Sequence, residues 1–230
     1  MKMPDRAGLA TITSPGRSFF LPYLALGVGV VSLGFAAIFV RWADAPGPVA
    51  SFYRLLVAVS LLAWSFYRQV KTNGGLPMRG VWVAALGGLF FAGNLAFWAS
   101  GVLLSGATIP TLLLNTAPLW VGLGAVILFR EQLNAIFWMG LLLALAGTLL
   151  ILGFDSLRAL SLGIGALFGL LAGIFQAGYM LVTQRGRELL RALTYFWIAA
   201  VSSTLTLLVI SLALRQPLTG YSAFTYLNFF

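Results

Sequence analysis

Residues 80–129 read GVWVAALGGLFFAGNLAFWASGVLLSGATIPTLLLNTAPLWVGLGAVILF, a run of 50 residues without a charged side chain. A transmembrane helix needs about 20 mostly apolar residues to cross roughly 30 Å of hydrocarbon, so this run is long enough for two. The stretch Ser105–Pro110 (SGATIP) divides the run near its middle, because glycine and proline interrupt helices. The run therefore predicts two membrane-spanning helices joined by a tight turn.

Apolar stretches of similar length recur along the rest of the chain and predict five more spans. Hydrophobic residues make up 60% of the sequence, charged residues make up 8%, and the mean hydropathy is +0.98. Soluble globular domains do not have this balance. We therefore predict an all-α fold, a polytopic transmembrane helix bundle, with one charged residue, Arg54, inside a span. The seven predicted spans cover about 19–40, 47–67, 81–104, 109–129, 133–153, 161–183 and 193–214.

The distribution of basic residues predicts the orientation of the bundle. Lysine and arginine concentrate in the cytoplasmic loops of membrane proteins. The distribution of basic residues in this chain predicts an N-terminus inside the cell, with residues 1–18 as a cytoplasmic segment. We expect a multi-pass protein of the plasma or inner membrane. This topology explains the net charge of +9 without a nucleic-acid partner, and the expected partner is the lipid bilayer. The cytoplasmic basic residues are then Lys2, Arg6, Arg17, Arg68, Lys71, Arg79, Arg130, Arg185, Arg187 and Arg191, against Arg41, Arg158 and Arg215 outside.

Two sequence patterns concern the packing of the helices. Small residues recur at every fourth position of the sixth span, which places them on one face and predicts close approach of a neighbouring backbone. The same packing role is expected of Gly140 and Gly147 in the fifth span. Pro118 lies well inside the fourth span and predicts a kink, because it cannot donate to the carbonyl of Leu114. The small residues of the sixth span are Ser161, Gly165, Gly169, Gly173 and Ala177.

Several short stretches follow one another from the middle of the fourth span into the fifth: Asn115–Trp120 (NTAPLW), Phe129–Leu133 (FREQL), Gly140 and Gly147. Together they resemble the drug/metabolite transporter superfamily, and specifically its EamA-type exporters. In that family a fourth helix with an internal proline leads to a glutamate at the cytoplasmic turn. Two further regions are similar to the family's second helix and to the start of its second repeat, namely Phe52–Leu55 (FYRL) and 169–185.

The resemblance implies an architecture of ten helices, built from two five-helix repeats that enter the membrane in opposite senses. Such inverted repeats are typical of alternating-access carriers. Residues 19–153 are then the first repeat and 161–230 an incomplete second one. We therefore expect a sequence truncated after the seventh of ten helices.

Polar side chains inside the spans are the candidate substrate-binding residues. Asn94 and Trp98 are four residues apart and share a helix face, where they offer hydrogen bonds and a stacking surface to a small amphipathic substrate. Arg54 could attract a carboxylate or phosphate, or it could extend outward to pair with Asp44. The asparagines could instead serve as interhelical hydrogen-bonding groups. The candidates of the outer half are Arg54, Asn94, Trp98 and Asn115.

A second group, toward the cytoplasmic half, consists of Gln176 and Tyr179 as further substrate-binding candidates. Tyr195 and Trp197 are predicted to belong to an aromatic belt at the inner interface. Glu131 is predicted to complement the N-terminal dipole of the fifth helix, to pair with a cytoplasmic arginine, and to act with Pro118 in gating.

The side chains that the sequence lacks restrict its possible functions. The sequence has no cysteine and no histidine, and its five acidic residues lie in loops or at helix ends. We therefore expect no catalytic residues, no metal, no cofactor and no buried carboxylate for proton coupling. The function that we predict is a carrier that exports small amphipathic metabolites such as amino acids by alternating access. An intramembrane enzyme, a channel and a structural membrane subunit are the alternatives.

Overall fold

The computed structural model describes residues 20–72, 75–152 and 163–228, and their regular secondary structure is entirely helical. Five helical segments are long and apolar enough to cross a membrane, and the fourth of the predicted spans consists of two consecutive helices. The all-α, polytopic fold class is confirmed. The helices are α1 Phe20–Trp42, α2 Gly47–Thr72, α3 Met78–Ser105, α4 Thr108–Leu114, α5 Ala117–Phe129, α6 Ala135–Leu152, α7 Ile164–Leu189, α8 Ala192–Ala213 and α9 Ala223–Asn228.

The chain divides into two compact units, Met1–Ala36 and Ala37–Phe230. The described part of the first unit is the α1 helix up to Ala36, and its apolar side chains are largely exposed. The second unit contains the last turns of α1 and all the other helices. The candidate residues of the sequence analysis all lie in this second unit.

Helix α3 is the centre of the second unit, where it packs against α7, α8, α2 and α4. Small residues on α3 allow this close packing: a Cβ atom on Gly88 would lie 2.6 Å from Ser202 Cβ of α8. Two α8 hydroxyls then bond to α3 carbonyl oxygens, since Ser203 Oγ donates to Gly88 O at 2.7 Å and Ser202 Oγ donates to Ala85 O at 2.8 Å. These bonds satisfy the serine hydroxyls where water is absent.

The predicted small-residue face of α7 contacts α4. A Cβ atom on Gly169 would lie 2.7 Å from Pro110 Cα, and one on Gly173 would lie 2.9 Å from Leu113 O. Gly165 lies against Ser105 at the end of α3, and Ala177 is buried, whereas Ser161 is outside the described residues. Glycine therefore brings the α7 backbone into direct contact with α4, as the sequence predicts. Gly140 and Gly147 differ from this prediction, because added Cβ atoms there would meet nothing within 4 Å.

The aromatic belt predicted from Tyr195 and Trp197 is wrong, because both residues pack between helices. Tyr195 is 1% exposed, and Thr183 of α7 donates to its phenol oxygen at 3.0 Å. Trp197 stacks on Phe66 of α2 with ring centroids 3.9 Å apart, and its indole N–H donates to Val59 O at 3.0 Å. These contacts fix α8 against α2 and α7.

The glycine contacts predict a difference between two Gly→Ala substitutions. Alanine raises helix propensity equally at Gly169 and Gly140, by about 1 kcal/mol. At Gly169 the new methyl group would overlap the Pro110 backbone, so we expect the Gly169→Ala variant to lose about 1–3 kcal/mol of stability. Thermal unfolding in detergent should show a lower midpoint for Gly169→Ala and an unchanged or higher midpoint for Gly140→Ala. Equal midpoints would contradict a tight α4–α7 contact.

Candidate functional site

The fourth predicted span is broken at its middle. Helix α4 ends at Leu114 and α5 begins at Ala117, with Pro118 in the first turn of α5. Pro118 has no N–H to donate to the Leu114 carbonyl, which explains why a continuous helix is disfavoured here. Thr116 lies in the break, where its hydroxyl donates to Leu113 O at 2.6 Å and accepts the indole N–H of Trp120 at 3.1 Å. The kink predicted from Pro118 is therefore present as a two-residue break between α4 and α5, in which Asn115 and Thr116 keep right-handed backbone angles.

A buried amide pair joins α3 to α7 close to this break. Asn94 Nδ2 donates to Gln176 Oε1 at 2.6 Å, and Asn94 is 5% exposed. Asn94 Oδ1 is buried and has no hydrogen-bond partner among the described residues. A buried carbonyl oxygen without a donor is uncommon in proteins, and a ligand or water that donates a hydrogen bond would satisfy it. The Asn94 side chain therefore has an unused capacity to bind a donor.

Aromatic contacts lie on both sides of the amide pair. Phe91 of α3 stacks on Tyr179 of α7, with ring centroids 4.8 Å apart and planes inclined by 29°. Trp98 of α3 donates its indole N–H to the hydroxyl of Thr111 of α4 at 3.2 Å. Phe91, Asn94 and Trp98 share one face of α3 because they are three and four residues apart. We call the three contacts Phe91–Tyr179, Asn94–Gln176 and Trp98–Thr111 the interhelical ladder.

The ladder unites candidates that the sequence analysis assigned to two different depths. Asn94 and Trp98 were predicted in the outer half and Gln176 and Tyr179 in the cytoplasmic half, yet Asn94 and Gln176 are hydrogen-bonded. The sequence analysis missed two members of the ladder, Phe91 and Thr111, because the sequence carries only a weak signal for them. Phe91 lies three residues before Asn94 on the same face, whereas a threonine in an apolar helix is not distinctive.

The other two substrate-binding candidates lie elsewhere in the second unit. Arg54 is half-buried on α2, next to Leu55, whose side chain packs with Ala92 of α3 and Leu207 of α8. Asn115 lies in the break between α4 and α5, and its side chain is exposed. The roles of Arg54 and Asn115 in binding stay predictions.

Glu131 lies in the link between α5 and α6. Helix α6 begins at Ala135, and the side chain of Asn134 caps it by accepting the backbone N–H of Phe137 at 3.0 Å. Glu131 is exposed in the preceding link, so Asn134 makes the capping hydrogen bond, and the dipole role of Glu131 stays a prediction. Arg185 of α7 lies 4.7 Å from the ring centroid of Phe129, at the end of α5, and pairs with Glu188 at 3.6 Å. The gating roles of Glu131 and Pro118 stay predictions.

A tyrosine cluster that the sequence analysis missed lies at the other end of the bundle. Tyr53 of α2 donates its phenol to Leu218 O at 2.7 Å, and its ring contacts Tyr226 with centroids 5.8 Å apart. Tyr226 in turn contacts Tyr221 at 6.0 Å. Burial raises the pKa of the Tyr221 phenol, and Tyr53 and Tyr226 add to this effect, so the phenol stays neutral to a higher pH than an exposed tyrosine does. These contacts hold the segment after α8 against the N-terminal end of α2.

Metal-binding side chains are scarce in the chain. The sequence has no histidine or cysteine. Among residues 20–72, 75–152 and 163–228, no three acidic side chains come close enough to share an ion. The ladder itself consists of amides, hydroxyls and aromatic rings, which bind ligands through hydrogen bonds and stacking.

Comparison with known proteins assigns this chain to a family. The sequence profile of the EamA-like transporter family matches residues 21–153. This chain belongs to the EamA-like transporter family. The EamA-like transporter described here is therefore a multi-pass membrane transporter of the drug/metabolite type. Neither a curated protein nor a solved structure matches the sequence. The matched region contains the α3 and α4 members of the ladder but not Gln176 and Tyr179, which belong to α7.

Docking of the segment after α8 can be tested with a single cysteine, since the chain has none. Thr225 of α9 is buried, so a Thr225→Cys variant should react slowly with a water-soluble maleimide. The Tyr53→Phe substitution removes the hydroxyl that donates to Leu218 O. We expect labelling of the cysteine at position 225 to become about 3- to 10-fold faster. Tyr67→Phe, which changes an exposed tyrosine of the same helix, is the matched control. Equal labelling rates in both variants would contradict docking through Tyr53.

Proposed function

We propose that this transporter is a secondary carrier that exports small amphipathic metabolites, such as amino acids, by alternating access. The observation that carries the proposal is the buried, unpartnered Oδ1 of Asn94 within the interhelical ladder. Leaving a buried acceptor without a donor costs about 1–3 kcal/mol. A substrate that donates an N–H or O–H hydrogen bond to Oδ1 would recover this free energy on binding, and the ammonium group of an amino acid is such a donor.

The surroundings of Asn94 support an amphipathic rather than a purely polar substrate. Phe91, Tyr179 and Trp98 are the aromatic members of the ladder, and their rings suit an apolar or aromatic substrate part. Gln176 holds the Asn94 amide in place through the 2.6 Å bond. Arg54 is the candidate group for a substrate carboxylate, because a guanidinium binds carboxylates through paired hydrogen bonds.

The broken fourth span supports a hinge for alternating access. Helix α4 is fixed by the glycine contacts of α7, whereas α5 begins anew at Ala117 and ends at the Phe129–Arg185 contact. A rotation at Asn115–Thr116 would move α5 while α4 stays in place, since hinges use the ends of helices. In this proposal Pro118 keeps the hinge open to bending, and Glu131 lies in the link that moves with α5. The N-terminus is cytoplasmic in the proposed topology, as the distribution of basic residues favours.

Transport in proteoliposomes tests the role of Asn94. We expect Asn94→Ala to raise the KM for an amino-acid substrate by about tenfold or more, because one charge-assisted or neutral hydrogen bond is lost. The measurement is counterflow, in which a saturable exchange of labelled solute distinguishes a carrier from a channel. Linear, non-saturable flux in the unmodified protein would contradict the carrier proposal.

A second interhelical bond provides the matched control. Thr194 of α8 donates to Gln69 Oε1 of α2 at 2.7 Å, which is comparable to the Asn94–Gln176 bond but outside the ladder. Gln69→Ala therefore removes a similar packing interaction. We expect it to lower thermal stability about as much as Asn94→Ala while leaving KM unchanged. The same rise in KM for both variants would assign Asn94 a packing role only.

A further inference from the structure

The end of the bundle at the α2–α3 turn presents three exposed basic residues on two neighbouring helices. Arg68 and Lys71 lie in the last turns of α2, and Arg79 lies in the first turn of α3. Helices α2 and α3 pack against each other, and the link between them is only five residues long, so these two helix ends lie side by side. Among the described residues none of the three cations pairs with an acidic side chain. The positive charge of this end is therefore available to a partner.

Each helix also presents an exposed tryptophan one turn deeper in the membrane than its arginine. On α2, Trp64 is 66% exposed, and the Arg68 guanidinium lies 5.8 Å from its ring centroid. On α3, Trp82 is 70% exposed and follows Arg79 by three residues. At 1.5 Å per residue, the indoles lie about 4.5–6 Å closer to the membrane centre than the charges. The order of groups from the surface inward is therefore the same on the two antiparallel helices.

Exposed leucines continue this order toward the membrane centre. Leu61 follows Trp64 inward on α2, and Leu86 and Leu89 follow Trp82 on α3. A cation, then an indole, then aliphatic side chains match the phosphate, glycerol and acyl regions of a phospholipid. A soluble anion would use the cations alone and would leave the indoles and leucines without a role.

The opposite sides of the two helices are fixed, so the exposed sides keep their positions. Gln69 and Phe66 of α2 contact Thr194 and Trp197 of α8. At the start of α3, a Cβ atom on Gly80 would lie 2.8 Å from Leu190 Cγ, which shows how closely this end of α3 is packed. The exposed sides therefore have a defined backbone for binding.

We propose that Arg68, Lys71 and Arg79, with Trp64 and Trp82 beneath them, bind the headgroup of an anionic phospholipid in the leaflet next to the α2–α3 turn. The phosphate and any further negative charge of the headgroup lie among the three cations. The indoles lie at the glycerol level, and the acyl chains run along the exposed leucines. This site is independent of what the transporter carries.

Native mass spectrometry of the purified protein in detergent measures lipid retention. Phosphatidylglycerol and phosphatidylcholine with the same acyl chains are the two probes. We expect the protein to bind phosphatidylglycerol at least about tenfold more tightly than phosphatidylcholine, because each surface cation raises the affinity for an anionic lipid a few-fold. Equal binding of the two lipids by the unmodified protein would overturn the proposal.

Two triple variants with the same loss of charge locate the site. In the Arg68→Gln, Lys71→Gln, Arg79→Gln variant, we expect phosphatidylglycerol to bind no better than phosphatidylcholine. The control variant, Arg130→Gln, Arg187→Gln, Arg215→Gln, removes three other exposed cations and should keep the preference. The same loss in both variants would overturn the assignment to the α2–α3 end, since it would indicate an effect of net charge alone.

Two measurements on the unmodified protein do not depend on the folding of a variant. Raising the salt concentration screens exposed charges, so the preference for phosphatidylglycerol should shrink as salt increases. Glycerol phosphate, a soluble analogue of the headgroup, should fail to displace the lipid at equal concentration because it lacks the acyl chains. A salt-independent preference, or complete displacement by glycerol phosphate, would overturn a phospholipid site.

Discussion

The close contact between the α7 backbone and α4 is the constraint on which the other features of the bundle depend. In a bilayer the lipid tails are as apolar as leucine, so helices gain little by hiding apolar side chains from their surroundings. Association then relies on van der Waals contact at short distance, and glycine permits the shortest. Gly169 and Gly173 bring α7 against Pro110 and Leu113, and they fix α4, the first helix of the broken span.

Polar groups in the bundle follow from the same environment. An unpaired hydroxyl or amide is costly where water is absent, so side chains bond to the nearest backbone or to one another. Ser202 and Ser203 use carbonyl oxygens of α3, and Gln69 uses Thr194. Asn94 departs from this rule, because Nδ2 of its amide donates to Gln176, whereas Oδ1 has no partner among the described residues. A buried group that the fold leaves unsatisfied is the kind of group that a substrate can satisfy.

The broken span connects packing with movement. A single helix over residues 108–129 would transmit any displacement of one end to the other. The interruption at Asn115–Thr116 separates α4, whose backbone lies against glycines of α7, from α5, which contacts side chains of α7 such as Leu181 and Arg185. Side-chain contacts can change rotamer without backbone strain, whereas a backbone seated on glycine cannot shift without losing contact. The two halves therefore have different freedom within one span.

The sequence by itself determined the class of the fold, the positions of five membrane-spanning segments, the kink at Pro118 and the small-residue face of α7. Each of these depends on local chemistry, namely the length of apolar runs, the missing N–H of proline and the spacing of glycines along one helix. Family membership was also accessible from the sequence, because the NTAPLW and FREQL stretches lie within a single region.

Only the tertiary structure decided which helix meets which. Asn94 and Gln176 are 82 residues apart, and no periodicity in either helix indicates that they share a hydrogen bond. Tyrosine and tryptophan are typical of an interfacial aromatic belt, but the burial of Tyr195 and Trp197 depends on the neighbouring helices that cover them. Gly140 and Gly169 are the same residue in similar helices, yet a neighbour lies against one of them and not the other. The physical reason is common to all three cases: the helices pack through long-range contacts, and a sequence pattern records the face of a helix but not the partner of that face.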